Sequence, residues 1–232
     1  MNCTKTALLS ELMEIVGEAG LRTEPADLEN YGKDWTKVVK PAPVAVVLPA
    51  STQEVVDLVK LAKRLELALV PSGGRTGLSG GAVAPAGELV VAFDRMNKIL
   101  DFDASDRLVV CQPGVVTEQL QQFAENEGLF YPVDFASSGS SQLGGNVATN
   151  AGGIKVIRYG MTRQWVAGMK VVTGNGELLS FNQGLAKNNT GYDFRHLFVG
   201  SEGTLGLIVE LTMSLTSRPK DPTVMLLGVD DM

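Results

Sequence analysis

The chain has 232 residues, 44% hydrophobic and 20% charged, ordinary proportions for a globular protein long enough to bury a core without cross-links. Its 20 Lys and Arg against 26 Asp and Glu give a formal net charge of −6, which argues against a nucleic-acid partner because such proteins need a basic face. We see no signal peptide or membrane-spanning run, and Cys3 and Cys111 predict reduced thiols and a cytoplasmic protein rather than a disulfide framework.

Strands and helices alternate in the first half of the chain. Apolar residues at helical spacing predict a first helix over 8–19 that ends at Gly20. The following predicted elements are a strand over 44–48, a helix begun by Ser51 or Thr52, a strand over 68–70 that ends at Pro71, strands over 89–93 and 108–111 joined by a connection through 96–103, and a helix capped by Thr117 that runs to Gly128. Because strand–helix–strand order occurs twice, the pattern predicts an α+β fold of two small lobes.

The second half is richer in strand signals. Asn175-Gly176 between two apolar runs predicts a hairpin with a type I′ turn. A last strand is predicted over 206–215, followed by a linker over 218–222. Residues 224–229 predict a strand that opens a new unit, and from it we expect this chain to be incomplete for catalysis.

Glycine is the unusual residue, with 26 copies that cluster at 73–81, 139–153 and 200–206. Such clusters indicate a backbone that bends sharply or approaches another group closely. The first cluster follows a predicted strand, so its N–H groups can form a nest for phosphate oxygens, with Thr76 and Ser79 as further donors. Neither the dinucleotide fingerprint nor the P-loop motif is present, and a flexible surface loop is the alternative.

The second cluster places small hydroxyl and glycine residues, from Ser137 to Ser141, before a short helix, where they can bind an anion. Asn146, Thr149 and Asn150 share one face of that helix. A structural role explains one such stretch, whereas two favour a large phosphate-bearing ligand. The third cluster, taken alone, is better explained by loop and cap residues.

Together these segments resemble the PCMH-type FAD-binding domain of vanillyl-alcohol-oxidase-type flavoproteins. The nearest branch is that of the D-2-hydroxyglutarate and D-lactate dehydrogenases, followed by the glycolate oxidase flavin subunit. The resemblance runs from about Tyr31 to the C-terminus. The motifs that carry it are Pro-x-Gly-Gly-x-Thr-Gly (71–77), Gly-Gly-Asn-Val-Ala-Thr-Asn-Ala-Gly-Gly (144–153), Arg-Tyr-Gly (158–160), Asn-Thr-Gly-Tyr-Asp (189–193) and Gly-Ser-Glu-Gly-Thr-Leu-Gly (200–206).

The resemblance implies a two-lobed α+β domain with FAD between the lobes. FAD should be bound without a covalent bond, because neither of the first two glycine clusters contains a histidine. The implied organisation is an N-terminal helix and arm over 1–40, an FAD-binding domain over 41–216 with lobes of about 41–104 and 105–216, and a linker with the first strand of a truncated cap domain over 217–232.

The resemblance also implies where the cofactor lies. Loop 72–79 should wrap the pyrophosphate, 136–153 should line the cofactor from ribityl chain to flavin ring, and the segment near 202–209 should touch the adenine-side half. The cofactor-binding residues implied are Pro71, Ser72, Gly73, Gly74, Arg75, Thr76, Gly77, Leu78, Ser79, Ala136, Ser137, Gly139, Ser140, Gly144, Gly145, Asn146, Thr149, Asn150, Gly152, Gly153, Tyr159, Gly160, Glu202, Gly203, Gly206 and Ile208.

No catalytic or metal-binding residue is predicted. His196 is the only histidine, so a multi-histidine zinc site is excluded, and its apolar surroundings favour packing over a role as general base. In the resembled family the acid–base histidines and metal ligands belong to a later cap domain. Arg75 stands where relatives often carry a smaller polar residue, and it is expected either to pair with a phosphate or to be solvated.

The function implied is an FAD-dependent oxidoreductase that converts a small D-2-hydroxy acid, of the 2-hydroxyglutarate, lactate or glycolate type, to the 2-oxo acid. An electron-transfer flavoprotein or a quinone is a possible electron acceptor. Two alternatives stay open, a non-catalytic flavin-binding module without a substrate domain and a binder of a non-flavin nucleotide.

Overall fold

The computed structural model describes residues 5–36, 38–182, 185, 187–220 and 223–228, so Cys3 lies outside the described residues. Besides the elements named next, the described residues form two short 3₁₀ helices, Glu18–Gly20 and Thr162–Trp165. In chain order the helices and strands are α1 (Lys5–Val16), β1 (Leu21–Arg22), α2 (Pro25–Tyr31), β2 (Ala45–Val47), α3 (Thr52–Leu65), β3 (Leu69–Ser72), β4 (Leu89–Ala92), β5 (Ile99–Asp103), β6 (Leu108–Cys111), α4 (Thr117–Asn126), β7 (Leu129–Phe130), α5 (Leu143–Ala148), α6 (Val156–Tyr159), β8 (Val166–Thr173), β9 (Leu178–Phe181), α7 (Arg195–Phe198), β10 (Gly206–Ser214) and β11 (Thr216–Ser217).

The first sheet has the order β1-β2-β4-β3, with β2, β4 and β3 parallel and β1 antiparallel. Helix α3 connects β2 to β3, and Ser51 is its N-cap, accepting a hydrogen bond from the Glu54 N–H at 3.2 Å. Because β3 and β4 are parallel, their carboxyl ends meet at one edge of the sheet. This edge carries the first glycine cluster beside Phe93 and Asp94.

Helix α1 packs into the core of the first sheet. Leu8, Leu12 and Val16 are buried in one cluster with the inner face of α3 and with strands β2 and β4. The helix ends at Val16 rather than at residue 19, because Gly17 takes a left-handed conformation with a φ of 68°. The N-terminal segment therefore contributes a core helix and an edge strand to the first sheet.

The second sheet is antiparallel throughout, with the order β5-β6-β10-β8-β9. Strand β5 was expected to be part of a connection, which is wrong, since it pairs with β6 from Ile99↔Cys111 to Asp103↔Leu108. Its exposed Asp101 and Asp103 at the sheet edge gave it no continuous apolar run. The five residues of β5, inside the range expected for the first lobe, thus belong to the second sheet.

Strands β8 and β10 join the two cores. Successive side chains of a strand point to opposite faces. Val171 and Ile208 lie in the core that the second sheet shares with α4 and α5, whereas Val172, Leu207 and Val209 lie in the core of the first sheet. The same strand ends are therefore buried on both faces, and the two lobes share their packing.

Three local expectations are corrected. In the β8–β9 turn only Gly176 has a positive φ, 76°, and its N–H donates to the Thr173 carbonyl at 2.8 Å. A type I′ turn needs two central residues with positive φ, so this is a three-residue loop closed by a left-handed glycine. Thr117 is the first residue of α4 rather than its cap. In the expected strand over 224–229, described residues 224–228 have no regular structure and are exposed.

We expect Leu12→Ala to destabilise the chain, because Leu12 is completely buried between α1 and the first sheet. The expected loss is about 2–5 kcal/mol of unfolding free energy. Met13, the next residue of the same helix, is 40% exposed and serves as the control, where Met13→Ala should change stability by less than about 1 kcal/mol. Equal urea midpoints for the two variants would contradict the docking of α1.

Candidate functional site

A cleft of about 270 Å³ lies between the edge of the first sheet and strand β10. Three loops meet at it, and each contains one of the glycine clusters or its start. Loop 1 is residues 73–81 after β3, loop 2 is residues 136–142 before α5, and loop 3 is residues 199–205 before β10.

Loop 1 presents unused backbone donors. Within the part of the chain that the structure describes, the N–H groups of residues 74–79 donate to no acceptor. Every one of these six residues except Leu78 lines the cleft. The loop is held at two points, where the Gly80 N–H donates to Asp34 Oδ2 at 2.8 Å and the Trp35 N–H donates to the Gly77 carbonyl at 2.9 Å. A run of free N–H groups of this kind suits an anion.

Asp34 was not predicted from the sequence. Its carboxylate is buried and also accepts hydrogen bonds from the N–H and hydroxyl of Thr36, at 2.9 and 2.6 Å. Together with the hydrogen bond from Gly80, these contacts satisfy both carboxylate oxygens. The Asp34 carboxylate therefore stabilises the position of loop 1 and has no oxygen left unpaired for a ligand.

Loop 2 is anchored by a buried hydrogen-bonded chain. The Asn146 side-chain N–H donates to the Thr117 hydroxyl at 2.6 Å, and that oxygen lies 2.7 Å from the Ser141 hydroxyl. All three side chains are buried. Thr117 is thus used by the loop rather than by its own helix, and it fixes Asn146, which lines the cleft.

Loop 3 closes the end of α5. The Glu202 N–H donates to the Ala148 carbonyl at 2.9 Å, and the Gly200 N–H donates to the Val147 carbonyl at 3.1 Å. These carbonyls belong to the last turn of the helix, where intrahelical partners are missing. Glu202 and Gly203 reach this position with positive φ values of 51° and 82°.

The three loops touch one another. A Cβ atom on Gly74 would overlap the Ser140 carbonyl oxygen of loop 2, and a Cβ atom on Gly203 would overlap the ring of Pro71 before loop 1. Gly77 has a different environment, with no atom within 4 Å of its Cβ position. Glycine is therefore required at some of these positions for loop packing, while at Gly77 the space is open.

Gln142 carries an unsatisfied buried atom. The residue is 6% exposed and lines the cleft, and within the described residues its Oε1 has no hydrogen-bond partner. Leaving a buried amide oxygen without a donor costs about 1–3 kcal/mol. A ligand with an N–H or hydroxyl group in the cleft would remove that cost. No local sequence pattern distinguishes this glutamine.

Arg75 contacts other residues of the chain, which contradicts the expectation of a solvated side chain. Its guanidinium donates to the Gly73 carbonyl at 2.8 Å, pairs with Asp94 at 3.4 Å and stacks over the Tyr31 ring at 4.5 Å. The side chain is 20% exposed, so it is not simply solvated, and it cannot turn to a phosphate without losing these partners. Burial and then the charge of Asp94 raise the pKa of the Tyr31 hydroxyl.

The structure brings together most of the predicted residues. Those that line the cleft are Pro71, Gly73, Gly74, Arg75, Thr76, Gly77, Ser79, Ser137, Gly144, Gly145, Asn146, Thr149, Glu202, Gly203, Gly206 and Ile208. Those outside its lining are Ser72, Leu78, Ala136, Gly139, Ser140, Asn150, Gly152, Gly153, Tyr159 and Gly160. Lining residues that were not predicted are Asp34, Gly81, Ala82, Phe93, Pro113, Phe135, Gln142, Ala148, Ala151, Ser201 and Leu207.

His196 is exposed, so the expected packing role is wrong. The imidazole lies 3.4 Å from Asp193 and 3.4 Å from Arg163, and the buried residues of this segment are Phe198 and Val199. A hydrogen bond from Arg195 lowers the pKa of the Asp193 carboxyl.

The residues that the structure describes contain no group of three or more His, Cys, Asp or Glu side chains arranged to hold a metal ion. None of their helices has the length and apolar character needed to cross a bilayer.

Comparison with known proteins gives consistent matches. Residues 43–182 match the FAD binding domain family. The chain is 61% identical over 228 residues to D-2-hydroxyglutarate dehydrogenase of Stutzerimonas stutzeri, covering 98% of this chain and 49% of that protein. It is 41% identical over 218 residues to the mitochondrial D-2-hydroxyglutarate dehydrogenase of Arabidopsis thaliana, covering 94% of this chain and 39% of that protein.

Among solved structures, alkyldihydroxyacetonephosphate synthase superposes with a TM-score of 0.83 and 26% identity, over 93% of this chain and 41% of that one. The chain spans at most about half the length of these proteins, since it covers 49%, 39% and 41% of them.

The packing of loops 1 and 2 predicts opposite outcomes for two glycines three positions apart. Gly74→Ala should lower the unfolding free energy by about 1–3 kcal/mol, because the new methyl group overlaps the Ser140 carbonyl. Gly77→Ala should change it by less than about 1 kcal/mol, because its Cβ position is open. Urea unfolding of the ligand-free chains measures both, and equal losses would contradict this packing.

Proposed function

The chain belongs to the FAD binding domain family, and from that premise we propose that it is the flavin-binding part of an oxidoreductase that converts a D-2-hydroxy acid to the 2-oxo acid. The predicted α+β PCMH-type fold and the predicted FAD cofactor are confirmed by the family match and by the structural similarity. The substrate is proposed from the relatives, which are named D-2-hydroxyglutarate dehydrogenases.

One observation carries the site proposal, the run of unused N–H donors at residues 74–79 on the cleft. We propose that these groups bind the pyrophosphate of FAD, which offers acceptors alone. Gln142 Oε1 needs a donor instead, and FAD offers donors in its ribityl and ribose hydroxyls, its adenine amino group and its flavin ring N–H. The residues of the cleft thus fit both the anionic and the hydroxyl-bearing parts of FAD.

The reaction divides between cofactor and protein. When bound, FAD supplies the chemistry of accepting a hydride from a hydroxyl-bearing carbon. This chain's own residues bind and orient the cofactor, and Phe93, Pro113 and Phe135 line the cleft with apolar surface that excludes water. We assign no catalytic residue within the chain. The names of the relatives favour an enzyme over a non-catalytic flavin-binding module.

The remaining expectations stay predictions. We propose residues 41–216 as the FAD-binding unit, 1–40 as the N-terminal helix and arm, and the segment that begins at 217 as a linker. The contacts of residues 150–160 with the cofactor, the electron acceptor and the cytoplasmic location are likewise predictions. Cys111 is buried, and several relatives are named as mitochondrial.

The proposed activity is tested with the gene product as the organism makes it, loaded with FAD and freed of oxygen. D-2-hydroxyglutarate should bleach the flavin absorbance, and L-2-hydroxyglutarate should not, with D-lactate and glycolate tested in parallel. A protein that binds FAD but is bleached by none of these compounds would be the non-catalytic module. A protein that binds no flavin would contradict the whole proposal.

We expect FAD to be held without a covalent bond. Among the described residues that line the cleft there is no His, Cys or Tyr, the side chains that can attach a flavin. Acid precipitation of the yellow protein should leave the colour in the supernatant. Flavin retained in the washed pellet would show a covalent link.

The open space at Gly77 allows a direct test of the cofactor's position. Gly77→Val should fold normally but weaken FAD binding by about tenfold or more, about 1.4 kcal/mol, because its side chain fills space proposed for the phosphates. Gly174→Val is the matched control, since that glycine is equally open but lies in the β8–β9 turn. Titration of the intrinsic flavin fluorescence measures both affinities, and equal affinities would argue against the placement.

A further inference from the structure

We propose that Arg75 is a positioning residue, which holds loop 1 in the shape that receives the anionic part of FAD and is not itself a ligand of the phosphates. The inference rests on the proposed function, because it concerns the same loop and the same cofactor.

The contacts of Arg75 come from three segments beside the first sheet. The guanidinium stacks on Tyr31 at the end of α2, pairs with Asp94 after β4, and donates to Gly73 at the start of loop 1. Both terminal nitrogens therefore have a partner. One planar side chain joins the base of the loop to the two elements beside it, which an ammonium group cannot do with the same geometry.

The backbone of Arg75 supports this role. Its φ of 59° is in the left-handed region, which costs a non-glycine residue of order 1–3 kcal/mol. A glycine would avoid that cost at this position, as it does at Gly80, where φ is 84°. The strain at Arg75 is therefore offset by what its side chain contacts, since nothing in the backbone requires an arginine.

Holding the loop has a direct consequence for affinity. Residues on either side of Arg75 carry the unused N–H groups, and these bind an anion together only while the loop keeps its shape. The apparent dissociation constant equals the intrinsic constant divided by the fraction of chains in the competent shape. Arg75 raises that fraction before any ligand arrives.

The test separates position from charge with Arg75→Lys, which keeps the positive charge. A direct phosphate ligand would be replaced well by lysine. A positioning residue would not, and the FAD dissociation constant should rise about tenfold, the effect of losing a charged hydrogen bond of about 1.4 kcal/mol. Arg75→Asn is the second variant, because asparagine tolerates positive φ while lacking the guanidinium.

A readout without FAD comes from hydrogen exchange. The Gly80 and Trp35 N–H groups hold loop 1 in the ligand-free chain, and in both variants their exchange should be faster by about tenfold, again about 1.4 kcal/mol of lost protection. The melting temperature of the ligand-free chain should fall by less than about 4 °C, the shift expected for 1 kcal/mol at this size. A purely structural role would lower the melting temperature further and would speed exchange throughout the chain rather than at the Gly80 and Trp35 N–H groups in particular.

Asp94→Asn completes a double-mutant cycle. If Arg75 is held by Asp94, this change should weaken FAD binding about threefold with arginine at 75 and should not weaken it with asparagine at 75, a coupling of the size found for contacting residues. If Arg75 contacted phosphate directly, removing the charge of Asp94 would free the guanidinium and tighten FAD binding.

Three results would each overturn the proposal: tighter FAD binding in Asp94→Asn, wild-type affinity in Arg75→Lys, or unchanged hydrogen exchange in either Arg75 variant. Failure of the wild-type chain to bind FAD would instead overturn the proposed function, and the exchange result would still decide whether Arg75 holds the loop.

Discussion

The structure depends on the burial of strands β8 and β10 on both faces. At their shared end, neighbouring residues such as Val171 and Val172 belong to different cores. Moving one lobe against the other would expose apolar surface in both cores at once. Because the cleft lies between the first sheet and β10, this shared burial sets its width and fixes loop 3 against loop 1. The binding site is thus a property of the packing between the lobes.

The site also shows how an acidic chain can bind an anionic cofactor. The net charge is −6, and Asp34 and Glu202 both lie on the cleft. Positive side chains contribute little attraction for an anion, because Arg75, the cationic residue that lines the cleft, is paired with Asp94 and stacked on Tyr31. In the proposed site the attraction comes from backbone N–H dipoles, which glycine allows to approach the ligand closely and which do not contribute to the net charge. Overall charge therefore says little about the ligand of such a protein.

The sequence pattern predicted those parts of the structure that are determined by residues close together in the chain. All three glycine clusters reach the cleft, since each needs only small residues beside an element's end. The sequence could not place Asp34, because its role depends on the Gly80 N–H far along the chain. It could not place Gln142 either, because only the structure shows that the buried Oε1 of this residue has no donor among the described residues. Strand β5 was missed because three of its five residues are exposed and two of these, Asp101 and Asp103, are charged. His196 was misjudged because an apolar neighbourhood in sequence was taken for burial, whereas Phe194 and Leu197 are themselves exposed and the imidazole lies beside Asp193.

The mutual contact of the three loops has a consequence for how the protein acquires its cofactor during synthesis. Loops 1 and 3 are separated by more than a hundred residues in sequence, and strand β10 follows loop 3 at Gly206–Ser214. Contacts at such separation form late, after the entropy of closing a long segment has been lost. A nascent chain still lacking β10 has loop 1 but no cleft around it. If the cleft holds the cofactor as proposed, only chains whose two cores have both been completed can capture it.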